Sequence, residues 1–217
     1  PLTMLVNRVI EIATVHANMW GIGYDALIKN NHAWVLSRVA VEMKRYPKVN
    51  ENYEMTTWIE SYNRHFSKRN MEITDQNGET IGYVRTVWMI IDLASRGGAD
   101  IDLYGNIADY VSERPCPIEP ISRLRMTGDA IRKSDYTFRY ADCDVNRHVN
   151  TVRYVELLLN QFTLEQFDKS FVERFEIAFY KETRYGDTAE VMMEGNEDDC
   201  KLSVKVNGEC HCCARFR

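Results

Sequence analysis

The chain has 217 residues, 45 % of them hydrophobic and 27 % charged, with a formal net charge of −5. That length can bury a sizeable core in one large domain or two small ones, and the acidic balance excludes a broad phosphate-tracking surface, so nucleic acid is not an expected partner. Apolar runs such as residues 87–91 are far too short to cross a bilayer and no signal segment opens the chain, so no membrane span and a cytoplasmic location are expected.

Position 1 is Pro rather than Met, so the natural start is expected to lie outside the sequence. Residues 2–16 carry Leu5, Val9, Ile12 and His16 at three-to-four spacing, flanked by Val6, Ile10 and Ala13, and this predicts an amphipathic helix. Gly21 and Gly23 then punctuate the chain. Strand-like stretches come next at 34–43, 53–62, 66–75 and 80–92, the last two joined by Asn77-Gly78, a strong hairpin signal. A long helix followed by consecutive antiparallel strands points to an α+β fold.

Residues 97–134 hold Gly97-Gly98 and three of the five prolines, and read as a connector over the surface with one short helix near 104–110. The pattern then restarts. A strand is predicted at 136–140 and a helix from about Asn150, with Val152, Val155, Leu159 and Phe162 as its apolar stripe. Further strands are predicted at 173–180, 188–194, 201–206 and 209–216, the last two joined by Asn207-Gly208. Residues 38–43 match 174–179 in apolar alternation, and Asn77-Gly78-Glu79 matches Asn207-Gly208-Glu209. A unit written twice explains this, with halves at 1–96 and 135–217 whose sheets could join edge to edge.

Three of the six cysteines crowd into Cys210-His211-Cys212-Cys213. On a regular strand Cys210 and Cys212 face one way, His211 and Cys213 the other. Four ligands on opposite faces cannot meet at one tetrahedral metal, so these read as reduced, buried thiols and no metal is expected.

The segment 140–154, YADCDVNRHVNTVRY, is the chemically dense one. In an extended backbone Asp144, Asn146 and His148 would project to one side. Asn150 or Thr151 could then cap the helix, whose free amides would lie beside the trio. Such a set suits hydrolysis of an activated acyl group. Composition alone leaves a second reading open, that of a capped polar turn.

Residues 144–150 with Arg153-Tyr154 resemble the D-x-N-x-H-V-N-N-x-x-Y signature of hot-dog-fold thioesterases. Residues 31–41, Arg45-Tyr46-Pro47, Thr57-Trp58-Ile59, 69–75 and 85–90 resemble the acyl-ACP thioesterases of plants and bacteria, in that family's order. The resemblance implies a double hot-dog fold, two long helices each wrapped by an antiparallel sheet, with the first hot dog lacking its opening strand here. It implies release of fatty acid from acyl carrier protein in fatty acid biosynthesis, without a cofactor. The partner would be that carrier with its phosphopantetheine-linked acyl chain, and the enzyme a monomer or homodimer. Carried over, the catalytic positions are Asp144, Asn146 and His148, and an acid expected after the next strand is assigned to Glu182. Plant members have Glu-Cys where this chain has Glu182-Thr183, which argues against a cysteine nucleophile there.

The mechanism expected is attack by water on the thioester carbonyl. Glu182, sharing the task with His148, would activate the water; Asn146 and the helix amides would orient it or stabilise the oxyanion; Asp144 would hold Asn146 or His148. Cys143 beside His148 suggests a Cys–His pair, but an extended segment would turn it away. Arg64, Lys68 and Arg69, or Arg132 and Lys133, could dock an acidic carrier. His16, His32 and His65 read as structural. The alternatives in function are an acyl-CoA thioesterase and a non-catalytic acyl-binding hot dog.

Overall fold

Leu2, Leu5, Val6, Val9, Ala13 and Ala17 form the buried stripe of α1 (Leu2–Met19), three residues longer than its periodicity predicts. The structure, a computed structural model, describes residues 2–217 except positions 106, 122, 170, 171 and 197. It divides into two compact units, residues 1–121 and 122–217.

In the first unit a short helix α2 (Tyr24–Leu27) leads to β1 (His32–Met43), β2 (Tyr53–Tyr62), β3 (Phe66–Asp75) and β4 (Thr80–Asp92). These lie antiparallel in the order β2-β3-β4-β1. The β3–β4 hairpin turns where expected: Gly78 takes φ +81°, and Asp75 Oδ1 accepts the N–H groups of Asn77 and Glu79. Ala17 of α1 packs with Ile59 and Ile90 of the sheet, so one sheet face is the core face.

The connector does more than cross the surface. Two 3-10 turns, Ile101–Tyr104 and Ile107–Tyr110, bury Ile101 and Ile107. Beyond them the chain lies on the sheet's other face. There Trp58 Nε1 donates to the Arg114 carbonyl at 2.8 Å, the Arg114 guanidinium sits 4.3 Å from the Trp58 ring, and Arg114 pairs with Glu72. Arg85 Nη2 donates to the Cys116 carbonyl at 3.2 Å, and Cys116 and Ile118 pack on Trp58.

In the second unit β5 (Ile131–Thr137) precedes α3 (Thr151–Leu159), α4 (Leu164–Lys169), β6 (Arg174–Phe179), β7 (Thr188–Gly195), β8 (Cys200–Val206) and β9 (Glu209–Phe216). The order is β6-β9-β8-β7-β5. Matching β6, β7, β8 and β9 to β1, β2, β3 and β4 gives the same order in both units, as the repeat implies. Asn207 (φ 51°) and Gly208 (φ 80°) are both left-handed, the I′ geometry that suits a two-residue hairpin.

Two elements differ from their sequence patterns. β5 starts five residues before 136, because residues 131–135 are held by the ladder to β7 while largely exposed, and exposed residues carry little alternation. The second helix is not one long rod. It stops at Leu159 and restarts through a capping box in which Gln166 N donates to Thr163 Oγ1 and Thr163 N donates to Gln166 Oε1. Its core face is Tyr154, Val155, Leu157 and Leu158, and Phe162 lies beyond it.

Candidate active site

The polar segment starts from a buried acid that sequence reasoning did not single out. Asp142 accepts the Tyr136 hydroxyl at 3.0 Å and the Arg139 N–H at 2.7 Å, and its carbonyl accepts the Asn150 N–H at 2.8 Å. This ties β5 to the start of α3, where Asn150 Oδ1 caps the Val152 N–H at 2.9 Å.

Between these anchors the chain is a turn, not an extended strand. Asp144 N donates to the His148 carbonyl and Arg147 N to the Asp144 carbonyl, with Arg147 left-handed at φ 64°. Asp144 Oδ1 accepts the main-chain N–H of Asn146 at 2.8 Å and of His148 at 3.1 Å. Asp144 therefore holds its two neighbours by their backbone, and strand alternation does not set the direction of the trio. Asn146 is exposed at the tip.

Glu182 arrives from the loop after β6. His148 bridges Arg184 in antiparallel fashion, and Val149 N donates to the Thr183 carbonyl at 2.8 Å. That pairing sets His148 Nε2 3.3 Å from Glu182 Oε2, with both side chains reachable by solvent. An imidazole and a carboxylate so placed can share a proton taken from water. Asp144 and Asn146 sit in the turn that presents His148, so all four positions belong to one locality.

The supporting residues Thr183, Tyr154 and His211 lie behind this pair. Thr183 is fully buried, and its Oγ1 is 2.8 Å from His211 Nδ1. Tyr154 stood in the signature; Thr183 and His211 carried no local signal. Burial is the main cause lowering the basicity of His211.

The cysteine segment departs from regular alternation. Val204 pairs with Cys212 and Lys205 with Cys210, so His211 is an extra residue in a β-bulge. Cys210 and Cys213 consequently share one cluster with Leu124, Ala178 and Met126, while His211 reaches Thr183. Among the described residues no group of three or more His, Cys, Asp or Glu could hold a metal ion. At Cys143 the thiol is pushed up by burial, then by Asp142 and Asp144, which opposes the thiolate that a Cys–His pair requires.

Comparison with known proteins gives the family. The family model for the acyl-ACP thioesterase N-terminal domain matches residues 1–102, and that for the C-terminal domain matches residues 127–216. The chain belongs to the acyl-ACP thioesterase family. An acyl-ACP thioesterase from Bacteroides thetaiotaomicron is 35 % identical, with a TM-score of 0.93 over 100 % of this chain and 88 % of that one. A chloroplastic acyl-[acyl-carrier-protein] hydrolase of Cuphea viscosissima is 28 % identical over 83 % of this chain and 47 % of its own length. The chain thus spans about half the length of the curated plant relatives it matches. A Mycobacterium tuberculosis protein described as a double hotdog fold aligns with a TM-score of 0.51 at 13 % identity, covering 84 % of this chain and 74 % of that one. The acyl-ACP thioesterase fold here is α+β, a double hot dog.

Arg69 is no surface cation for a carrier: it is 5 % exposed, donates to His16 Nδ1 and Thr57 Oγ1, and lies 5.6 Å from the Trp20 ring. No helix among the described residues is long and apolar enough to cross a membrane.

Proposed function

We propose that this family member hydrolyses the thioester of fatty acyl-acyl carrier protein and releases free fatty acid, with Asp144, Asn146, His148 and Glu182 as its site. The observation that carries the reading is the meeting of His148 Nε2 and Glu182 Oε2 at 3.3 Å beside the capped start of α3. Water held between substrate and Glu182 loses a proton to the carboxylate, with His148 sharing the charge, and adds to the carbonyl carbon; the tetrahedral adduct then collapses, the C–S bond breaks, and the proton held by the pair passes to the departing pantetheine thiolate. Asn146 and the free amides of α3 face the oxyanion that develops, where donors aligned in advance act most strongly. Asp144 fixes the turn that carries both Asn146 and His148. The carrier's acidic surface meets one of two groups of exposed cations, Arg64 with Lys68 or Arg132 with Lys133, the reaction runs in the cytoplasm without a cofactor, and the protein works as a monomer or homodimer.

The test is hydrolysis of matched acyl-acyl carrier protein and acyl-CoA by wild type, His148→Ala and Glu182→Ala. Loss of turnover by at least about a hundredfold in both variants is expected. Turnover unaffected by both substitutions would remove the site, and a strong preference for the CoA ester would remove the carrier-protein reading. No hydrolysis of either ester by wild type would leave a binding protein.

A further inference from the structure

We infer that His211 and Thr183 are positioning residues for Glu182, acting from a β-bulge behind the site. The inference rests on the assignment of Glu182 above and concerns what holds that carboxylate in place. Glu182 sits in a loop between β6 and β7, a setting that by itself lets a side chain wander by more than a hydrogen bond tolerates.

Three of the contacts that restrain that loop bracket Glu182, and two of those come from His211. The His211 carbonyl accepts the N–H of Tyr180 at 2.8 Å and of Lys181 at 3.3 Å, immediately before Glu182. The His211 ring meets the Thr183 hydroxyl at 2.8 Å, immediately after it. Glu182 is therefore bracketed on both sides by one residue of another strand. The third contact completes the path, because the Thr183 carbonyl accepts the Val149 N–H at 2.8 Å, next to His148. Imidazole and carboxylate are thus referenced to the same threonine.

The bulge makes this possible. In an unbroken β8–β9 ladder the residue opposite Lys205 or Val204 would engage the neighbouring strand; as an extra residue, His211 is released from that register. Both ends of the bond are dry, His211 at 7 % and Thr183 at 0 % exposure, so water does not compete for it. A hydroxyl in this position makes the bond that a valine of the same shape cannot, which gives the inference a specific chemical requirement.

The experiment compares Thr183→Val, Thr183→Ser, His211→Ala and His211→Asn with Glu182→Ala and His148→Ala. The probe is dodecanoyl- or palmitoyl-acyl carrier protein, whichever the wild type turns over faster. Thr183→Val and His211→Ala should lower kcat about tenfold to a hundredfold at unchanged KM, the penalty of a misplaced group. Thr183→Ser and His211→Asn, which keep a hydrogen-bonding atom, should recover most of it. The Thr183→Val/His211→Ala double variant should be no slower than the slower single, because both break one path. If Glu182→Ala and His148→Ala lose activity while Thr183→Val and His211→Ala keep wild-type kcat, this inference falls and the site assignment stands. If Glu182→Ala itself is fully active, the assignment falls and takes the inference with it. If neither Thr183→Val nor His211→Ala folds, the network serves the fold and not the glutamate, which also overturns the inference.

Discussion

Asp144 Oδ1 accepts the main-chain N–H of His148 at 3.1 Å while its own N–H donates to the His148 carbonyl at 2.8 Å. The two residues are latched backbone to backbone and backbone to side chain, with Asn146 sharing the same oxygen. An amide oxygen can accept those bonds as well as a carboxylate oxygen can. Asp144→Asn should therefore keep most of the activity. Asp144→Ala, which frees two N–H groups and loosens the turn, should lose about 2 kcal/mol of stability and most of the turnover. Thermal unfolding and steady-state hydrolysis of the two variants check this. Equal damage from both would mean that the negative charge, not the latch, matters.

Arg147 closes that latch from the left-handed region, at φ 64°. Arg147→Gly removes the steric cost of that conformation and should leave the melting temperature unchanged or higher. A β-branched side chain tolerates it least, so Arg147→Val should cost about 1–2 kcal/mol. Denaturant midpoints of the two variants measure the difference.

Cys143 lies five residues before His148, yet its thiol is held above its ordinary range by burial and two neighbouring aspartates. Cys143→Ser should hydrolyse substrate at the wild-type rate, and an alkylating reagent should inactivate the wild type no faster than it modifies an ordinary thiol.

Arg69 is buried with two neutral partners, His16 and Thr57. Burial lowers its pKa to about 10 and, with the nearby Arg69 charge, that of His16 to about 4. Arg69→Met should be at least as stable as wild type, since among the described residues Arg69 has no counter-charge, and a buried cation in that position gives way well to an apolar side chain of similar length. It should also leave KM for the carrier substrate unchanged, whereas a docking cation would raise it.

The same pair sets a pH dependence. His16 titrates near 6.5 in the unfolded chain and near 4 in the folded one, so the unfolded state binds the extra proton between those values. Its contribution to stability is intact above about pH 6.5 and is lost as the pH falls toward 4. Urea midpoints measured across that window should fall more steeply for wild type than for His16→Asn, which keeps an acceptor for Arg69 without the titration.

The strands and hairpins were legible because each is a local pattern. Asn207-Gly208 and Asn77-Gly78 mark turns wherever they occur, and the apolar alternation of 38–43 recurs at 174–179. Glu182 was found only through resemblance to a family motif, since nothing within the sequence brings it to His148. What stayed hidden depended on other strands. The bulge at His211 arises from pairing with β8, so a strict two-residue period misassigned the faces of Cys210–Cys213. The burial of Arg69 depends on α1 and β2, and its sequence neighbours, Lys68 and Asn70, show only a polar run. The split in the second helix is written in the sequence as Thr163 and Gln166, but the apolar stripe of Val152, Val155, Leu159 and Phe162 runs up to the break and masks it.

The segment that crosses the outer face of β2–β4 has an evolutionary corollary. Trp58 meets Arg114 by ring and by carbonyl, Glu72 binds the same guanidinium, and Arg85 reaches the Cys116 carbonyl. Losing Arg114 would take from Glu72 its paired cation, leaving only the Thr80 and Tyr83 hydroxyls on the carboxylate, and uncover an indole at the same time, so substitutions at 58, 72 and 114 should be accepted in company and rejected singly. In an alignment of close relatives these three positions, far apart in sequence, should therefore covary, while Cys116, which contributes a main-chain oxygen to Arg85, drifts among small residues.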